Sequence, residues 1–436
     1  MRKWDAGRVY LILSGVATLA NSAMFVALAV YYVTVVGMNP LQLVLVGTVL
    51  EAAVLLFELP TGVVADTYSR RLSVVLGMFV LGVAWLIEGS IAVFATILLA
   101  EAIRGVGYTF LSGALQAWLA DEVGNELVGP TLIRASQVAR VAALVGIALG
   151  AVIGSVQPNW PVLLGGALHL ALGVFLVLVM PEHGFAPAPH ADRNPLRAMR
   201  QTLMAGGQVV RGQPLVMSLL LATLFYGAAS EGFDRLWEAF LLLDISLPGV
   251  GNLKPIVWIA LVTATGSLVA LAVTHLLRDR LDHASQRPAL AARILVGLVA
   301  ATALVTLGIA AVNTFAAAFV LLALRGVLLS LAEPLHDSWL IQNVPPQVRA
   351  TVISMAGLSN AFGQTVGGPG VGALGNRRGI RAALAASGLL LLPLVGVFAQ
   401  AARHPASVDA TDHRPPALDD RPPTTDHQTA RVMRET

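Results

Sequence analysis

Apolar runs of about 20 residues recur along almost the whole chain, and that recurrence restricts its fold more than any other feature. A helix needs roughly 20 mostly apolar residues to cross a bilayer core. Segments near residues 9–33, 41–65, 72–89, 91–119, 132–156, 160–180, 214–242, 253–277, 289–311, 314–341, 350–374 and 380–402 meet that requirement. The chain is 56% hydrophobic and 12% charged, against about 25% charged in soluble domains. No single soluble core of this size could hide so much apolar surface. The reading is an all-helical integral membrane protein of twelve spans, with the lipid bilayer as its solvent. Links as short as Gly89-Ser90 and Asn313-Thr314 force antiparallel neighbours.

Arginine and lysine in the loops set the expected orientation. One set of loops carries Arg2, Lys3 and Arg8, then Arg70 and Arg71, then Arg193, Arg197 and Arg200, then Arg278, Arg280 and Arg287, and finally Arg349. The opposite set carries Lys254, Arg377, Arg378 and Arg381. The positive-inside rule therefore puts both termini and the central connector in the cytoplasm, with the protein in the inner (plasma) membrane. The stretch GNRRGIR before the last span runs against the rule. The net charge of +3 is no nucleic-acid signal, because the basic residues are loop residues. The N-terminal apolar run is too long for a signal-peptide core and reads as a first span. Cysteine is absent, so disulfides and thiolate metal sites are excluded. No metal and no cofactor are expected.

The Pro- and Arg-containing connector 181–213 separates a first six-span unit, 1–180, from a second, 214–402. The Pro-, Asp- and Thr-rich remainder, 403–436, is expected to be a disordered cytoplasmic tail, its histidines scattered rather than metal-binding. The two units look duplicated. Arg104-Gly105-Val106 precedes Trp118-Leu119 by the same 14 residues that separate Arg325-Gly326-Val327 from Trp339-Leu340, an offset of 221. Spans five and eleven both carry glycines at intervals of four, Gly146, Gly150 and Gly154 in one and Gly363 and Gly367 in the other, which suits tight helix packing.

Between spans two and three lies Gly62-Val-Val-Ala-Asp66-Thr-Tyr-Ser-Arg70-Arg71, which resembles the cytoplasmic signature of the major facilitator superfamily. Thr67 and Ser69 depart from the usual basic residue and glycine. In that family the motif is a conformational gate: Gly62 would allow close helix approach, and Arg70 and Arg71 would bridge to the other half when the cytoplasmic side is shut. Gly146 to Ser155 is similar to the antiporter signature of exporters in the family, with Ala151 in place of its proline. Glu58-Leu-Pro60-Thr-Gly62, Arg349 to Met355 and Gly363 to Pro369 have the look of twelve-helix drug exporters such as the macrolide and tetracycline groups. Span four departs, because Glu101 holds the place of the usual motif arginine and Arg104 sits one turn later. The resemblance implies the major facilitator fold, two pseudo-symmetric six-helix bundles with alternating access, in which spans one, four, seven and ten line a central cavity.

Charged residues inside spans sort the same way. An ionisable group in hydrocarbon costs several kcal/mol and needs a reason. Glu51 and Glu58 lie in span two, Glu101 and Arg104 in span four, Glu231, Asp234, Arg235 and Glu238 in span seven, and Arg325, Glu333, His336 and Asp337 in span ten. Spans three, six, nine and twelve carry almost nothing at depth; Glu88 and Arg293 fall near ends and His169 is an exception. Glu101, Glu51, Glu231 and Asp234 are candidates for carrying a proton. The competing reading is fixed neutralisation, of Arg104 by Glu101 or Glu51 and of Arg235 by Glu231 and Asp234. Asn21, Arg104, Gln116, Arg235, Arg325, His336 and Asp337 are candidates to line the substrate cavity; Arg325 has no obvious acid one turn away on its own helix and would bind an anionic substrate group or pair across the cavity. Trp118 and Trp339 read as interfacial anchors.

These observations favour a secondary active transporter, a monomer moving a small molecule by alternating access, with protons as coupling ion and efflux of an amphipathic compound or drug as its task. A metabolite or siderophore permease using Arg104 and Arg325 as anion grips is the alternative within the fold, and a non-transporting receptor or scaffold the alternative outside it. No zinc-protease, nucleophile-elbow or phosphate-cradling motif is present, which argues against an enzyme.

Overall fold

In hydrocarbon each backbone N–H and C=O must be satisfied within its own segment, so an apolar run that crosses a bilayer folds as helix. The computed structural model of the chain describes residues 4–187, 214–344 and 349–403, and no strand occurs among them. Arg2, Lys3, Arg193, Arg197, Arg200, most of the central connector and the tail beyond 403 lie outside the described residues.

The first bundle comprises α1 (Ala6–Val30), which runs into a π-helical turn at Tyr31–Val36, α2 (Pro40–Thr67), α3 (Arg70–Ser90), α4 (Phe94–Leu111), α5 (Ala114–Val123), α6 (Asn125–Val156) and α7 (Trp160–Val179). The second comprises α8 (Pro214–Leu243), α9 (Pro255–Leu276), α10 (Arg278–Ser285), α11 (Pro288–Ala311), α12 (Phe315–Asn343), α13 (Arg349–Arg378), α14 (Ile380–Leu390) and α15 (Leu392–Arg403). Among the described residues ten segments are long and apolar enough to cross a membrane. With α8 and α13, of 30 residues each, they complete the twelve long segments expected.

Local chemistry sets the ends. Asn39 opens α2 with a capping box to Gln42, followed by Pro40 at a position where its missing N–H costs nothing. Ser69, standing where the family motif has glycine, caps α3 by accepting from the Leu72 amide at 2.8 Å. Span four is not continuous: it breaks at Gly113, whose φ of +68° only glycine adopts at little cost, and resumes as α5. The last span is likewise divided at Leu391, and the expected loop around Arg278 and Arg280 holds the short helix α10.

The sequence repeat becomes a repeat of packing. α6 lies along α1, and α13 lies along α8. Gly146 and Gly150 face the α1 backbone at Leu19 and Ala23, with no room for a side chain; Gly363 and Gly367 face Leu224 and Ala228 of α8 in the same manner. Gly154 faces Ile256 of α9, so its contact crosses between bundles.

Apolar clusters join the bundles at one end and leave them separate at the other. Leu28, Tyr31, Leu43, Val44 and Val46 pack with Phe233, Leu236, Phe240, Val371 and Ile380. Val26, Val30 and Ile147 pack with Ile256 and Ile259. At the opposite end Val9, Leu13, Val74, Trp118 and Leu176 form a cluster confined to the first bundle, and Leu219, Leu295, Leu335, Trp339 and Phe398 one confined to the second. There a cleft of about 1190 Å³ parts α6, at Arg140 and Ile147, from α9 and α12, at Leu271, His275 and Glu333.

Two expectations need correction. Trp118 and Trp339 are not interfacial anchors but are buried, at 1% and 2% exposure. The Trp118 indole N–H donates to the Pro181 carbonyl at 2.7 Å, which removes the penalty for burying it. Trp339 packs edge-on against Phe398 at 5.3 Å. In the anomalous GNRRGIR stretch, Arg381 donates to the carbonyls of Ala310 and Val312 at 3.1 and 2.6 Å and sits 3.4 Å from Asp244. Its charge meets a helix end and a carboxylate.

Candidate functional site

The site begins with a pair on α4. Glu101 and Arg104, three residues apart and hence on one helix face, form an ion pair whose side chains are 0% and 2% exposed. The guanidinium stacks over the Trp85 ring of α3 at 4.2 Å. Of the two partners considered for Arg104, Glu101 takes the role. Glu51 on α2 stands half-buried where the charges of Glu231, Arg235 and Arg104 act on it.

On α8 Glu231 and Arg235 pair at 3.0 Å, four residues apart. They press against α2 at Gly47, where a methyl group would collide with both side chains. The absence of a side chain at Gly47 thus lets a charged pair of the second bundle reach the first. Asp234 has Arg325 as its nearer partner, with the charge of Arg235 also acting on it. It lies 3.9 Å from Arg325 on α12, whose guanidinium covers the Phe233 ring at 3.4 Å. Arg325 therefore finds its acid on a neighbouring helix, not its own.

The remaining candidates stand apart from this seam. His336 and Asp337 pair at 3.2 Å and, with Glu333, Tyr226 and Phe398, line a cavity of about 300 Å³ in the second bundle near its open end. Gln116 lines a separate cavity with Glu58, Tyr108 and Ser112 in the first bundle. Asn21 has a buried side-chain oxygen without a partner.

At the open end Arg70 pairs with Asp121 and donates to the Ala117 carbonyl at 3.1 Å. Arg71 donates its amide to Glu182 at 2.8 Å and its guanidinium to the Val177 carbonyl at 2.6 Å. Among the described residues these partners belong to the first bundle or, at Glu182, to the start of the connector. Asp66 is exposed, and no atom lies within 4 Å of where a Gly62 side chain would begin. The basic pair is thus held in place without reaching the second bundle.

Sequence reasoning missed Glu88. Glu88 lies near the end of its span as expected, but it does not face lipid: its side chain is 0% exposed and bonded by Tyr32, with the charges of Glu101 and Arg104 acting on it. The signal present in the sequence was the pairing of a lone acid near the end of one span with the phenols Tyr31 and Tyr32 at the same end of another.

Residues 10–310 match the family described as the Major Facilitator Superfamily, well over half of the chain. The chain belongs to the Major Facilitator Superfamily. As a facilitator it is one of a family of transporters and not of enzymes. It is 24% identical over 204 residues to the uncharacterized MFS-type transporter YxaM of Bacillus subtilis (strain 168), a match covering 46% of this chain. It spans only 50% of the length of that relative. The facilitator fold is shared with the nucleoside transporter NupG (TM-score 0.72, 14% identity, 92% of this chain and 98% of that one). A peptide transporter POT in complex with sulfate matches at TM-score 0.70, 14% identity, over 92% and 94%. A bacterial homolog of the human lysosomal transporter Spinster matches at 0.67 and 13%, over 91% and 96%.

Proposed function

We propose that this facilitator is a proton-coupled exporter of a small amphipathic compound, working by alternating access between bundles of residues 1–180 and 214–402. The observation that carries the reading is the seam itself. Glu101–Arg104 from one bundle and Glu231–Arg235 from the other lie within electrostatic reach of each other and of Glu51, where the bundles meet at one end and part at the other. Carboxylates so placed can exchange a proton with whichever side is open and change the electrostatic cost of closing over it. The acidic rim of the second-bundle cavity, Glu333 and Asp337 beside apolar Leu391 and Phe398, suits cargo with an apolar body and a positive charge.

The anion-grip alternative is less well supported, because Arg104 and Arg325 already have Glu101 and Asp234 beside them. The open end carries Arg8, Arg70, Arg71, Arg140, Arg278 and Arg280, and we assign it to the cytoplasm, with both termini there and the protein a monomer in the plasma membrane.

Inverted membrane vesicles with an imposed pH gradient, acid inside, test the reading with a panel of cationic amphiphiles. Export by proton exchange loads them and collapses with the gradient. Loading in the opposite sense would mean symport, and no gradient-dependent flux for any compound would remove coupled export. Glu101→Gln is expected to reduce the gradient-driven component at least tenfold; unchanged flux would take Glu101 out of the mechanism.

A further inference from the structure

Glu88 is a fully buried carboxyl group for which the proposed mechanism has no role. It lies in α3, one turn after Trp85, and each of its surroundings is specific. From the end of α1 the Tyr32 hydroxyl donates to Oε1, and the Tyr31 hydroxyl donates to the Glu88 backbone carbonyl at 3.0 Å. Both phenols come from the π-helical turn Tyr31–Val36, a local rewinding of the kind that recurs at functional positions. From α4, Glu101 and Arg104 face it, and from α8 the charge of Arg235 acts on it. From α7, the Asn159 amide donates to the neighbouring Gly89 carbonyl at 2.9 Å, and the buried His169 is bonded to its own helix at the Gly165 carbonyl, 2.8 Å away.

The balance of these groups is uneven. Glu88, Glu101 and Arg104 have exposures of 0%, 0% and 1%. Two carboxyl groups thus share a water-excluded space with one guanidinium. Arg104 bonds Glu101 through Nη2 alone, with its Nε and Nη1 buried and unpartnered, and Arg235 bonds Glu231. Oε2 of Glu88 and Oε1 of Glu101 are buried with no hydrogen-bond partner. An ionised carboxylate left so is penalised by several kcal/mol, and a carboxylic acid by less.

We propose that Glu88 is a proton-binding site of the first bundle, with Tyr32 and Tyr31 as its positioning residues. The proton comes from water and adds to a carboxylate oxygen of Glu88; the O–H bond breaks again on release to water, and no other bond changes. Binding of the proton leaves Glu101 ionised against Arg104, so the bundle alternates between one and two buried negative charges beside its single arginine. The use made of this proton rests on the proton-coupled export reading above; its presence does not.

The test is infrared difference spectroscopy of the purified full chain in liposomes, stepped across neutral pH. The expected result is a carboxylic acid C=O stretch that appears as pH falls and is lost in Glu88→Gln. Tyr32→Phe removes a hydrogen bond without removing the acid, and should shift the band rather than abolish it. This second variant keeps the assignment testable if Glu88→Gln does not fold. A band that survives in Glu88→Gln, one unmoved by Tyr32→Phe, or no band in the native protein would overturn the site. Substrate flux is read separately: a Glu88 band in a protein whose transport ignores the pH gradient would sink proton coupling while leaving the site.

Discussion

At the scale of single residues, the cost of burying charge decides which substitutions matter. Arg104 is buried and bonded to Glu101, so Glu101→Gln breaks a buried ion pair and leaves Glu88 as the other carboxyl group beside the guanidinium. A loss of about 3–5 kcal/mol is expected, read as a lower thermal midpoint of the purified protein, and Glu101→Gln with Arg104→Gln should recover much of it. Asp234 is 61% exposed and 3.9 Å from Arg325, whose side chain is 12% exposed, so Asp234→Asn should cost less than Glu101→Gln. Equal losses would show that burial does not set the scale here. The sequence disclosed the pairs that lie on one helix, because spacings of three and four residues place Glu101 near Arg104 and Glu231 near Arg235. It did not disclose Asp234 with Arg325, or Glu88 with Tyr32, since those pairings depend on how separate helices turn toward each other. Trp118 misled for a related reason: its partner, the Pro181 carbonyl, lies far along the chain.

At the scale of elements, the close seams of α1 with α6 and of α8 with α13 depend on the absence of side chains. Gly150→Leu would drive a side chain into the Ala23 backbone, and overpacking of this kind costs about 1–3 kcal/mol. Lower yield of folded protein in detergent is expected, with the matched Gly363→Leu behaving alike. Gly62→Ala, which meets nothing within 4 Å, should leave folding unchanged; if the basic gate closes against the second bundle, it should instead slow turnover. The apolar runs revealed every long helix and the glycine intervals revealed the ladders, because both are periodic. The breaks at Gly113 and Leu391 and the short helix α10 left no such periodic mark. Ser69 shows the limit of motif reading: as a departure from a glycine it reads as a loss, yet it provides the cap of α3.

At the scale of the molecule, two apolar clusters fasten the bundles at one end and two others hold each bundle separately at the opposite end. A side chain built at Gly372 of α13 would begin 3.0 Å from Val44 of α2, and the chain has no cysteine of its own. Val44→Cys with Gly372→Cys should therefore cross-link under mild oxidation and arrest transport until reduced. Transport that continues through the cross-linked form would mean the fastened end need not part. Because just one end is parted, a rigid binder has just one face on which to wedge. A nanobody loop or a bulky ligand lodged between Arg140 and His275 would occupy the space that closure requires. The same object at the opposite face would meet packed side chains and find no foothold, so inhibitors of this protein should come with a built-in sidedness.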